Sequence, residues 1–223
     1  MNRSLKITLA LCAALLIAYA ALRHTVASAA TTVPDPTVDE SLAPQKGNAT
    51  VVVAGGCFWG IQAVFQHVKG VTSATSGYSG GTLKDPDYEQ VSSGDTGHAE
   101  SVEIVYDPSQ ITLGQLLKVF FSVAHDPTEL NSQGPDTGTQ YRSAIFFSTP
   151  DQQRIAQAYV QQLDQAKVFS QPIVTQITPF KAYYRAEDYH QNYATLHPDN
   201  PYIATYDLPK VEHLHQQFPN LYR

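Results

Sequence analysis

The sequence predicts an α+β fold: a single domain built as a two-layer α/β sandwich, with a mixed sheet and long irregular loops. Three observations carry this. Strand-like and helix-like stretches alternate from Thr50 to about Leu196. Two early strand candidates follow one another as in a hairpin, which favours a mixed sheet over a doubly wound parallel one. With 223 residues, 43% hydrophobic and 15% charged, the chain can bury one sizeable core and still carry extensions.

Arg3 and Lys6 precede the apolar stretch Ile7–Leu22, and Ala27-Ser28-Ala29 offers a small-residue cleavage pattern. Residues 1–29 therefore read as a secretory signal peptide. The apolar stretch is short for a membrane span, and an uncleaved anchor or a core helix are the alternatives. Leu11 stands before Cys12 where lipid attachment calls for a small residue, which argues against a lipoprotein. Residues 30–48 hold Pro34, Pro36, Pro44 and Gly47 without apolar periodicity and read as an extended linker. The domain is expected over residues 49–223.

Within it, Thr50–Ala54 reads as a β-branched strand and Phe58–Val68 as a helix, with Ile61, Val64, Phe65 and Val68 at i, i+3, i+4, i+7 spacing. Strands are expected at Val71–Tyr78 and Val102–Tyr106. Thr112 and Gln115 form a capping-box pattern for a helix to Val123. Arg142–Phe147 reads as a strand, and Thr149-Pro150 starts a helix to about Ala166. A strand at Ile173–Ile177 and a short helix over Glu187–Leu196 follow, and Asp199–Arg223 reads as a mostly irregular tail.

Cleavage after Ala29 removes Arg3, Lys6 and Arg23 and no acid, moving the formal charge from −6 to −9. An acidic exported domain is a poor partner for nucleic acid or an anionic membrane surface. Cleavage also removes Cys12 and leaves Cys57 as the only cysteine, so no internal disulfide can form. The expected location is the bacterial periplasm, or the membrane face if the leader stays as an anchor.

Cys57 lies in Gly55-Gly56-Cys57-Phe58-Trp59-Gly60, directly after the apolar run Val51–Ala54. The glycines permit a sharp strand-to-helix turn, and the first turn of a helix favours a thiolate through its free N–H groups and dipole. A buried structural cysteine is the alternative. Three loops rich in Gly, Asp and Tyr suit a polar site: Asp85–Glu89, Ser93–Glu100 and Gly134–Arg142. A cysteine hydrolase would need a base, for which His67, His98, His125 and His190 are candidates, but the glycine after Trp59 comes one residue late for a nucleophile elbow. A secreted binding module with aromatic loops is the non-enzymatic reading. His213-Leu214-His215 lacks a third metal ligand at diagnostic spacing, and no phosphate-cradling or dinucleotide motif is present.

Gly56-Cys57-Phe58-Trp59, Gly94–Glu100, Gly138–Ser143 and Ala186–Gln191 resemble, in order and spacing, the A-type peptide methionine sulfoxide reductases. The resemblance runs from about Thr50 to beyond Tyr202. It implies that Cys57 is the nucleophile on the sulfoxide sulfur and that Glu100 is the acid, kept protonated by burial. Tyr88 and Tyr141 would hydrogen-bond the sulfoxide oxygen. Phe58 and Trp59 would receive the methyl group, and Asp136 would orient its neighbours. It further implies the S epimer as substrate, in free or protein-bound methionine sulfoxide, and no bound cofactor. His98 and Arg142 are read as structural, while Tyr189, His190 and Tyr193 either line the pocket mouth or form one face of a short helix. The tail lacks the resolving cysteines of many relatives, and Ser92 stands where some carry another. The sulfenic acid left on Cys57 would then need an external thiol: thioredoxin, a glutaredoxin or glutathione-type thiol, or a periplasmic thiol protein.

Overall fold

The computed structural model describes residues 33–223; the leader and Cys12 lie outside them. Six strands form one sheet in the order β7-β6-β1-β3-β2-β8. These are β1 (Ala49–Ala54), β2 (Val71–Ser79), β3 (Ala99–Tyr106), β6 (Ala144–Phe147), β7 (Gln176–Pro179) and β8 (Tyr183–Arg185). All pairings are antiparallel except β6 with β7, so the sheet is mixed. A two-stranded ribbon, β4 (Ser132–Gln133) with β5 (Asp136–Thr137), stands apart from it.

Alternation along β1 sorts the two faces, as a period of two requires. Val51 and Val53 join the main core, and Val52 and Ala54 join a smaller cluster with Ala99, Ala144 and Phe146. Helix α1 (Phe58–Gln66) lies in the main core through Phe58, Ile61, Val64 and Phe65, all fully buried. Helix α2 (Tyr88–Ser92) is short and carries a capping box from Asp87 and Gln90. Helix α3 (Leu113–Val119) starts with the Thr112/Gln115 box and relaxes into a π turn over Phe120–Ala124. Helix α4 (Pro150–Gln165) begins at Thr149 with proline in its first turn. The fold class is thus the α+β sandwich that the alternation predicts.

Two segments are more ordered than the sequence suggests. The stretch before Ala49, read as a linker, does not stand free of the domain. Residues 33–48 are extended but docked: Val33 is 2% exposed within the main core, and the Tyr159 hydroxyl donates to the Pro34 carbonyl at 2.7 Å. Asp39 accepts from the Thr112 hydroxyl and the Gly114 N–H, and Glu40 accepts from the Leu113 N–H. Two carboxylates thus sit on the free N–H groups that open α3, where the helix dipole favours negative charge. A proline-rich stretch lacks periodicity whether it docks or not, so the pattern could not reveal the docking. Deleting residues 30–48 should cost about 3 kcal/mol or more from the lost valine burial and capping, seen as a lower melting temperature; an unchanged melt would show that the strap is energetically idle.

The second difference is the tail. Instead of an irregular segment, it forms a π turn at Ile203–Asp207 and helix α6 (Leu208–Gln217), with Pro209 in its first turn. Val211, Leu214 and Phe218 pack on the main core, so burial of one helical stripe drives the ordering. Between β8 and this tail, the expected single helix over Glu187–Leu196 is split into a 3-10 turn at Asp188–His190 and helix α5 (Tyr193–Leu196), broken by Asn192 at φ 57°.

Candidate active site

The chain leaves β1 through Gly55-Gly56 and enters α1 with Cys57 as its N-cap, φ −55° and ψ 123°. Gly56 has φ +95°, and a Cβ there would sit 2.4 Å from the Gln133 Cγ. Only glycine accepts both constraints. Cys57 borders a cavity of about 200 Å³, lined also by Phe58, Trp59, Tyr88, Glu100, Asp136, Tyr141 and Tyr202. All seven residues expected from the sequence meet there, and Tyr202 joins them.

Glu100 comes from β3 and is 3% exposed. Its Oε2 accepts from the Phe58 N–H at 3.0 Å. Burial pushes its carboxyl up to about 8, with Asp136 and Asp207 adding to the rise and the Phe58 N–H opposing it. At neutral pH it therefore holds a proton it can give.

The thiol departs from the sequence expectation. Burial first, then the carboxyls of Glu100 and Asp207, push Cys57 well above its ordinary value, against the Trp59 N–H and Lys210. The helix start does pull toward thiolate, but desolvation in an acid-lined cavity outweighs it. Asp207 is fully buried in the tail, and its own carboxyl is raised by burial, against Lys210, whose Nζ lies 3.1 Å from Oδ1. This pair abuts the first turn of α1: a Cβ on Gly60 would lie 2.2 Å from Asp207 Oδ1. Asp207→Asn should raise the rate at which iodoacetamide alkylates Cys57 at neutral pH several-fold, and Lys210→Met should lower it. Unchanged rates in both would remove the pair from the thiol's electrostatics.

The aromatic wall is built from three segments. Phe58 is buried with its ring 6.4 Å from Trp59 and 5.9 Å from Tyr78. Tyr193 stacks on the indole of Trp59 at 3.9 Å and 13°, and Tyr202 meets its edge. Tyr202 donates to Asp136 Oδ2 in a short hydrogen bond, an orienting contact of the kind expected for Asp136. Burial raises the Tyr88 and Tyr141 hydroxyls above their ordinary values, so both remain neutral donors. Glu187 accepts from the Tyr88 N–H and the Tyr78 hydroxyl, fixing the start of α2.

His98 and Arg142 hold loops. His98 Nε2 donates to the Leu83 carbonyl while Nδ1 accepts from the Gly81 N–H. Arg142 donates to the carbonyls of Thr139 and Gly97. Among the described residues no histidine lines the cavity: His125 is bonded to the Phe120 carbonyl and Ser143, and burial holds it down to about 3. The base that a cysteine hydrolase needs is therefore not at the thiol. Sequence reasoning misses Tyr202 and Asp207 because it reads the tail as irregular, whereas the tail folds as a π turn and a helix. Pro209 followed by Val211, Leu214 and Phe218 was the available helix signal.

A buried thiol at a helix start, beside a buried carboxyl that keeps its proton and two neutral phenols, is a site able to pair a sulfur nucleophile with a proton donor. The chain belongs to the peptide methionine sulfoxide reductase family, whose model matches residues 49–221. It is 60% identical to peptide methionine sulfoxide reductase MsrA 2 of Mesorhizobium japonicum, over 83% of this chain and 94% of that one. The MsrA 2 of Synechocystis is 51% identical, over 83% and 88% of the two chains. Among solved structures, Mxr1 from Saccharomyces cerevisiae in reduced form is similar at TM-score 0.62 and 34% identity, covering 74% of this chain and 92% of that one. Methionine sulfoxide reductase A of Corynebacterium diphtheriae is similar at TM-score 0.60 and 35% identity, covering 75% and 87%.

Proposed function

We propose that this chain reduces the S epimer of methionine sulfoxide, free and within proteins. The observation that carries the reading is the meeting of Cys57, a protonated Glu100 and an aromatic wall in one small cavity. Phe58 and Trp59 take the substrate's methyl group, which turns its oxygen toward Glu100, Tyr88 and Tyr141. Glu100 gives its proton to that oxygen, and this makes the sulfur electrophilic enough for a thiol that burial keeps from ionising. As Cys57 Sγ bonds to the substrate sulfur its own proton passes to the Glu100 carboxylate; the hydroxyl then moves from that sulfur to Sγ as the new S–S bond breaks, which releases methionine and leaves Cys57 as a sulfenic acid with Glu100 protonated again.

Two external thiols complete the cycle. The first condenses with the sulfenic acid to a mixed disulfide and releases water; the second attacks that disulfide and restores Cys57. Cys57 is the one free cysteine among the described residues, and the leader's Cys12 goes with the signal peptide. The reductant is a thioredoxin, a glutaredoxin or glutathione-type thiol, or a periplasmic thiol protein, and the substrates are oxidised exported proteins. The test is reduction of separated sulfoxide epimers by the chain from residue 30 onward, with dithiothreitol as reductant. Consumption of the S epimer alone is the expected result, and reduction of neither would overturn the reading.

A further inference from the structure

In the segment Ala186–Gln191, Glu187 holds the start of α2, but the chemistry above gives the buried His190 no task. His190 is 2% exposed and accepts, at Nδ1, a hydrogen bond of 3.2 Å from the Trp59 indole N–H. Nδ1 therefore carries the lone pair, and in the neutral ring Nε2 carries the proton. The ring is packed against Phe58 at 5.0 Å and Tyr88 at 4.5 Å, so it cannot follow a moving indole. Burial also holds His190 below its ordinary range, which keeps Nδ1 an acceptor at neutral pH.

We infer that His190 is a positioning residue that fixes the plane of the Trp59 indole and so sets how large an alkyl group the sulfoxide can carry. Trp59 is only partly buried and stands at the cavity wall. Stacking by Tyr193 fixes one face but lets the ring slide and turn within its plane. The bond to His190 removes that freedom. The anchor is itself tied to α1: Gln62 and Gln191 side chains bond to each other, and Gln191 also bonds the backbone of Ser76 on β2. The inference rests on Trp59 being the wall of the methyl site.

Trp59 is the only tryptophan of the chain, so its emission and its indole N–H signal report on this contact alone. Kinetics on methionine and ethionine sulfoxides should show a lowered methyl-over-ethyl preference in His190→Leu, carried by KM more than kcat, with a red-shifted emission. His190→Asn, which returns an acceptor near the Nδ1 position, should restore both readouts. In the wild-type chain the indole proton should exchange slowly with water, a measurement that stands even if the leucine variant does not fold. A preference unchanged in Trp59→Phe overturns the methyl-wall reading and the inference with it. A preference lowered in Trp59→Phe, but preference and emission unchanged in His190→Leu, overturns the inference alone. Rapid exchange of the wild-type indole proton, or no restoration by His190→Asn, also overturns it.

Discussion

Glu100→Gln should lower kcat/KM for methionine sulfoxide by about 10²- to 10⁴-fold, the range for a general acid that also stabilises developing charge, and should at the same time make the fold more stable at alkaline pH. The first effect follows from the proton. Glutamine keeps the shape and can still accept from the Phe58 N–H, but it has no proton to transfer to the sulfoxide oxygen. The wild-type profile should fall as pH rises through about 8, where Glu100 loses its proton, and that alkaline limb should be missing from the variant.

The second effect follows from linkage. The folded carboxyl sits near 8 against an ordinary 4.5, so between these values the folded chain keeps a proton that the unfolded chain releases. Stability contributed by this group is therefore full below about 4.5, falls as pH rises toward 8, and is lost above it. An uncharged glutamine removes that loss, worth on the order of a few kcal/mol for a group this buried. Melting curves at several pH values measure it directly. Near-full activity in the variant would remove Glu100 as proton donor. A stability profile that stays parallel to wild type from acid to alkaline pH would show that burial does not hold the proton there.

The sequence made this arrangement legible wherever local pattern and site chemistry coincide. Gly56 and Cys57 could be placed because a glycine pair between a β-branched run and an amphipathic stretch has few other uses, and Gly56 indeed needs its positive φ. The capping residues Thr112, Gln115 and Thr149 were readable because caps are local. Three things were not readable, and each is tertiary. The thiol's raised pKa depends first on burial and then on Glu100 and Asp207 arriving from distant strands and turns, whereas the helix start alone predicts the opposite sign. Tyr202 acquires its place through Asp136, sixty-six residues away. The docking of Pro34 and Asp39 depends on partners in α4 and α3 that no window around the prolines contains.

Cys57→Ser should abolish sulfoxide reduction under every reductant. A hydroxyl is a far weaker nucleophile toward sulfur, and in a cavity that already suppresses ionisation of the more acidic thiol it has no route to an oxyanion. The loss should be chemical and not structural, because the swap is nearly isosteric and the N-cap position accepts serine readily. The same residue sets a limit on the wild-type chain lacking its leader. Without added thiol, it should release a single equivalent of methionine per enzyme and stop, since no second cysteine can regenerate the first. Mass spectrometry of that arrested enzyme should find a sulfenic acid on Cys57, trapped by dimedone, and after addition of a small thiol a mixed disulfide on the same residue. Continued turnover without thiol would mean that another group reduces the sulfenic acid, and measurable reduction by the serine variant would move the nucleophile elsewhere in the cavity.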